Sequence, residues 1–138
     1  MTAVSSPVRA TKSKCIVHVV PYDGVGGVET ALRSMDAGLA DGIAFHKYFI
    51  ANPDAAIDDG YVQHGAYPSP SDPRNFFLAI VRILRLDPDL LIASLWRGAL
   101  ALLAVKLLRP HSRTVVFLHS SKAVHWLDQM ANRLAMSV

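Results

Sequence analysis

The chain has a single cysteine, Cys15, in 138 residues. One thiol closes no intrachain disulfide, so the scaffold is held by packing and suits a reducing compartment. Glutamate is as scarce: Glu29 stands alone against ten aspartates. The six histidines form no HExxH or other ligand spacing, so neither a metal nor a tightly held cofactor is expected. No long apolar run exists either. The most apolar stretch, 89–108, is broken by Asp89, Arg97 and Lys106, and no charge-free run in it exceeds eight residues. A bilayer span needs roughly 20. Residues 1–13 lack the apolar core of a secretory signal. Three nucleotide and hydrolase signatures are also missing. Glu29 occupies the third-glycine place of a dinucleotide fingerprint, and neither GxxxxGK[ST] nor GxSxG occurs.

What is present indicates a folded domain. Apolar residues are 51% and charged residues 18% of the chain, too apolar for disorder, and the length suits one domain with a real core. The net charge is +3, but it is unevenly placed. Residues 1–14 carry three bases and no acid, and read as a disordered basic leader. Residues 15–72 hold two bases and eight acids; residues 73–138 hold nine bases and three acids. Such a split is either ordinary solvated surface or a basic face that meets an anion or an anionic membrane. Nothing in it calls for nucleic acid.

The order of elements is read from periodicity and punctuation. CIVHVV (15–20) is a buried strand, PYDGVGG (21–27) a turn, and 28–40 a helix with Val28, Ala31, Leu32, Met35 and Leu39 at helical spacing. AFHKYFIA (44–51) and YVQHG (61–65) are strands around an acidic loop. Asp72-Pro73 opens a helix over 74–86, with Asp as N-cap and Pro first. Phe76, Phe77, Ile80, Val81 and Leu84 are expected on its inner face, and Arg74, Arg82 and Arg85 opposite. A strand over 87–94, a nearly all-apolar and so mostly buried helix over 95–109, a strand over 113–119 and a helix over 120–136 follow. Alternating apolar strands and helices predict an α/β, Rossmann-like parallel sheet with helices on both faces over 15–138. The last helix runs toward the final residue without a cap or closing strand, so the domain is expected to be incomplete.

In such sheets ligands bind at the carboxyl ends of the strands. The candidate residues fall there. Gly26 and Gly27 begin the first helix, where bare backbone N–H groups either meet a phosphate or simply form a tight turn. Arg97 follows Trp96 after the fourth strand, free to pair with a phosphate or to rest at the sheet edge. His119 ends the fifth strand before Ser120, either stabilising charge on a bound sugar or phosphate or capping the last helix. His18, inside the first strand, reads as a core residue. The 74–86 helix, with a basic flank beside an aromatic face, either packs on the sheet or also touches an anionic membrane.

Three stretches taken together carry a family likeness: IVHVVPYDGVGGVETALRSM, PDLLIASLWRGALALLAVKLL and TVVFLHSS. In order and spacing they resemble the N-terminal domain of GT-B glycosyltransferases of the family-4, glycogen-synthase-like group. The resemblance implies retaining transfer of a sugar from a nucleotide-sugar donor to a glycan or lipid-linked acceptor. It implies diphosphate contact at Gly26 and Gly27 and His119 beside the transferred sugar; Arg97 and Ser120, at the same strand ends, are read as further donor-binding residues. It implies a cytoplasmic protein, with peripheral contact at the membrane face through the 74–86 helix. The group's paired-glutamate motif lies in a C-terminal domain with no counterpart in these residues. The chain alone is therefore expected to be inactive without that domain or a partner chain. The alternative is a non-catalytic Rossmann-like nucleotide-binding or regulatory module.

Overall fold

The computed structural model describes residues 13–23, 27–37, 39, 41–52, 60–117 and single positions at 126, 129, 130 and 133. Among these, eight elements follow in the order β1 (Lys14–Val20), α1 (Gly27–Ala37), β2 (Ile43–Phe49), β3 (Val62–His64), α2 (Pro73–Leu86), β4 (Leu90–Ser94), α3 (Leu95–Leu108) and β5 (Arg113–Phe117). The strands form one five-stranded sheet in the order β3-β2-β1-β4-β5, with every pair parallel. This is the Rossmann order, and the chain is an α/β protein of that kind. The sequence expected this architecture and most of its boundaries.

Two side-chain periodicities assign the faces. Along β1, Val17 and Val19 pack with Leu91, Ala93, Tyr48 and Ile50 under α2 and α3. Val20 turns to the opposite face with Phe45, Phe49 and Ile92, and α1 covers these with Val28, Leu32 and Met35, joined by Leu39 just beyond the helix. Right-handed crossovers produce this division. The chain moves from β1 toward β3, then reverses through α2 to reach β4 and β5, so α1 lies on one face and α2 and α3 on the other.

Three expectations are corrected. Ala31 is exposed rather than turned to the core. The inner side of α2 is Asn75, Ala79 and Ile83, with Phe76, Ile80 and Leu84 half-buried beside them. Phe77 and Val81 face outward, 67% and 44% exposed. The two phenylalanines are adjacent in sequence and so about 100° apart on a helix, and only one can enter the core. The last turn of α3 also stands clear, with Leu107 and Leu108 exposed, although Gly98, Ala99, Ala101, Leu102 and Val105 are buried. In addition, β4 starts at Leu90 rather than 87. Asp87 is the left-handed C-cap of α2 (φ 51°), and Pro88 has no N–H to offer a ladder.

A fully buried polar residue fixes the loop between β3 and α2. Asn75 Oδ1 accepts from the N–H groups of Ala66 (2.9 Å) and Tyr67 (3.0 Å), while Nδ2 donates to the carbonyls of Tyr67 (2.7 Å) and Ser69 (3.0 Å). One amide thus bonds four backbone groups of the loop, two of them carbonyls that also accept from the Asn52 and Asp72 N–H groups. Gly65 leaves room for this clamp: a Cβ there would lie 1.9 Å from the Ile50 carbonyl oxygen and 2.6 Å from Asn75 Oδ1. Asn75→Ala should cost about 2 kcal/mol, because it leaves the Ala66 and Tyr67 N–H groups without their acceptor, while the Tyr67 and Ser69 carbonyls keep bonds from the Asn52 and Asp72 N–H groups. Gly65→Ala should cost at least as much through the clash with the backbone. Urea unfolding of both variants checks this, and a loss of under about 1 kcal/mol in both would show that the clamp contributes little.

Candidate functional site at the carboxyl edge of the sheet

Strand order reverses between β1 and β4, so the connections leaving these two strands diverge to opposite faces and leave a crevice at their carboxyl ends. Two helices begin there. Gly27 is the first residue of α1, and a Cβ added to it would meet nothing within 4 Å. The first turn of α1 therefore stands clear of the other described residues, with backbone N–H groups lacking intrahelical partners.

α3 begins with no intervening loop. Ser94 ends β4 and is already the N-cap, and Leu95 takes a left-handed conformation (φ 62°) to make the turn. A β-carbon in that region costs about 1–2 kcal/mol, which the flanking strand and helix must offset. Ser94 does not cap with its side chain. Its hydroxyl is 2.8 Å from Nε2 of His18, and both residues are buried. The His18 ring lies between Phe45 and Phe117, with ring centroids at 6.5 and 6.2 Å. The core position expected for His18 is thus observed, and the pair ties the carboxyl end of β4 to β1. One turn on, Gly98 brings α3 against β1, where a Cβ would lie 3.0 Å from the Val19 carbonyl oxygen.

Arg97 reaches from the first turn of α3 to the loop before α2. Its Nη2 donates to Ser71 Oγ at 2.8 Å, and its guanidinium lies 4.3 Å over the Trp96 ring. Its Nε is buried with no hydrogen-bond partner among the described residues. The neighbouring Asp72 caps α2 by accepting from the Arg74 N–H (2.9 Å), and it accepts again from the Arg74 guanidinium (3.1 and 2.8 Å). Arg74 stacks in turn on Tyr67, 3.7 Å from the ring centroid. These side-chain and backbone hydrogen bonds hold the Asp72 carboxyl below its ordinary range and raise Arg74.

The crevice has a further pair that the sequence reading did not single out. His64 ends β3, stacks on Phe49 at 5.0 Å, and places Nε2 3.5 Å from Asp23 Oδ2 in the loop after β1. The signal was available, since His64 is the last polar residue of the strand read over 61–65. Arg82 Nη1 donates to the His64 carbonyl at 2.6 Å and secures this strand end from α2. Of the expected site residues, Gly27 and Arg97 both lie in the first turns of helices that start at the β1 and β4 ends. Gly26, His119 and Ser120 lie outside the described residues, as does most of the helix expected over 120–136.

A cavity of about 960 Å³ opens at the opposite end of the sheet, lined by Lys14, Asp87, Asp89, Arg109, His111 and Arg113 among others. It is the weaker candidate despite its size. It lies at the amino ends of the strands, Asp87 pairs with Arg109, and Asp89 accepts the Cys15 N–H at 2.9 Å. Its two carboxylates are occupied in closing that end of the fold. Among the described residues no cluster of His, Cys, Asp and Glu suits a metal ion, and no helix is long and apolar enough to cross a membrane.

No family model matches the chain, nor does any curated protein or solved structure.

The lowered Asp72 carboxyl gives a pH signature. A carboxyl depressed by folding contributes stability that is complete above its unfolded value of about 3.9 and is lost as pH falls through the lower folded value. The stability gap between the native chain and Asp72→Ala should therefore be constant from pH 5 to 7 and narrow below about pH 4. Urea midpoints at several pH values measure the gap. A gap that does not change with pH would show that the cap acts without its charge.

Proposed function

We propose that the chain is a glycosyltransferase-type domain that binds the diphosphate of a nucleotide-sugar donor at the crevice between β1 and β4. The observation that carries the proposal is the open first turn of α1 at Gly27, on the same strand edge as the Arg97 turn of α3. A helix N-terminus presents unpaired N–H groups and the positive end of its dipole, which suits a phosphate. Arg97 adds a planar cation on the second helix. In this reading Gly26 and Gly27 approach the phosphates, Ser120 and Arg97 support the donor, and His119 stands beside the sugar as it passes to the acceptor hydroxyl. The order of the GGVE, PDLL and FLHSS stretches supports this choice over other Rossmann-like functions.

The acceptor in this reading is a glycan or a lipid-linked sugar, and the protein works in the cytoplasm. These residues hold a single glutamate, so the carboxylate pair of the resembled group must come from a further domain or a partner chain. Without them there is no closed cleft to exclude water and align donor with acceptor. The 138-residue chain should then bind a nucleotide without transferring sugar. The lack of a glutamate pair also favours a second reading, a non-catalytic nucleotide-binding or regulatory module.

Calorimetric titration with UDP, GDP and NAD separates the outcomes. The proposal expects weak binding of a nucleoside diphosphate, lost in Gly27→Trp with no change in Tm, because a side chain there meets none of the described residues. Tight NAD binding would favour the second reading. Binding unchanged by Gly27→Trp would remove the crevice from the account, and radiolabelled sugar transfer by the chain alone would overturn its dependence on a second domain.

A further inference from the structure

The cavity at the amino ends of the strands has a lining that closing the fold does not account for. At about 960 Å³ it has the size of a small-molecule site. Its floor is set by register. Lys14 pairs with Ile43, Ile16 pairs with Leu90, and Leu90 pairs in turn with Arg113. In-register partners and alternate residues of one strand share a face, so these five lie together on the α1 side of the sheet. Ile16, Ile43 and Leu90 are half-buried and make an apolar floor. Lys14 stands beside it on β1 and Arg113 beyond it on β5. β1 and β5 are two strand spacings apart, about 10 Å, so the two cations do not converge on one point.

The rim is fixed by hydrogen bonds. Lys106 Nζ donates to the carbonyls of Pro110 and Ser112, both at 2.9 Å, and Ser112 Oγ donates to the Pro88 carbonyl at 3.0 Å. The Arg113 N–H donates to the Asp89 carbonyl at 3.1 Å. These bonds hold the turn that carries His111 and the start of β5. The two rim carboxylates are taken, Asp87 by Arg109 and Asp89 by the Cys15 N–H. Lys14 and Arg113 are exposed, and neither side chain pairs with a carboxylate among the described residues.

We propose that this cavity binds an amphipathic organic monoanion, a medium-chain or aromatic carboxylate, with its carboxylate on Arg113 and its apolar body over Leu90, Ile16 and Ile43. The lining selects this class. A guanidinium matches a carboxylate with two parallel N–H bonds, and the apolar floor matches a hydrocarbon body. A compact phosphate dianion would need converging cations, and Asp87 and Asp89 repel two charges twice as strongly as one. The inference does not depend on the sugar-transfer proposal, which concerns the other end of the sheet.

The test is amide NMR titration of the full 138-residue chain with octanoate below its micelle concentration. Saturable shifts should appear at Lys14, Leu90, His111 and Arg113, and not at Asp23, Trp96 or Arg97. Octanol, which lacks the charge, should bind about ten-fold more weakly. Butanoate, four methylenes shorter, should bind at least about ten-fold more weakly. Inorganic phosphate should leave the same amides in place. Arg113→Gln should weaken octanoate binding about ten-fold and keep the native Tm, since the side chain is exposed. Arg85→Gln removes the same charge from the exposed side of α2 and should leave octanoate binding unchanged. Several results would overturn the proposal: no saturable shift around the cavity, octanol or butanoate binding as well as octanoate, or phosphate moving the same amides. So would equal losses in Arg113→Gln and Arg85→Gln, because octanoate would then respond only to net charge.

Discussion

The structure depends on the parallel pairing of β1 with β2 on one side and β4 on the other. A parallel neighbour can be reached only by a crossover, and crossovers are right-handed. Moving from β1 toward β3 and then back past β1 to β4 therefore sends α1 to one face and α2 and α3 to the other. The two cores, the crevice at the carboxyl edge and the convergence of α1 and α3 on it all follow from that one reversal. Local devices then fix the geometry. His18 bonds to Ser94 across the reversal, Gly98 lets α3 approach the β1 backbone, and Leu95 accepts a left-handed conformation so that strand passes directly into helix.

The same reversal sets α1, with Glu29, Arg33 and Asp36 in its sequence, on one face and α2 and α3, with five bases and no acid, on the other. The acidic segment 15–72 contributes α1 to one face, and the basic segment after it contributes α2 and α3 to the other. A net charge of +3 describes neither face.

Strands and their order were legible because β1, β2 and β4 are buried on both sides and read as short apolar runs between turn residues. The start of α2 was legible from Asp72-Pro73, whose capping chemistry is local. What was not legible depended on contacts distant in sequence. The facing of α2 turns on Asn75, a polar residue buried because it serves a loop eight or nine residues earlier, and hydrophobicity alone assigned both phenylalanines inward. The His64–Asp23 pair spans 41 residues, and only the sheet order brings it together. Arg97 was found at the carboxyl edge, as the helix start after β4 implied, but its link to Ser71 was not foreseeable from spacing.

The central claim is that this reversal makes the carboxyl edge of β1 and β4 the place where a phosphate-bearing ligand binds. The most direct measurement is the mapping of backbone amide NMR shifts during titration of the chain with a nucleoside diphosphate. The account predicts that the largest shifts fall at Tyr22, Asp23, Gly27, Trp96 and Arg97. Shifts concentrated at Lys14, Leu108, His111 and Arg113, around the cavity at the amino ends of the strands, would contradict it.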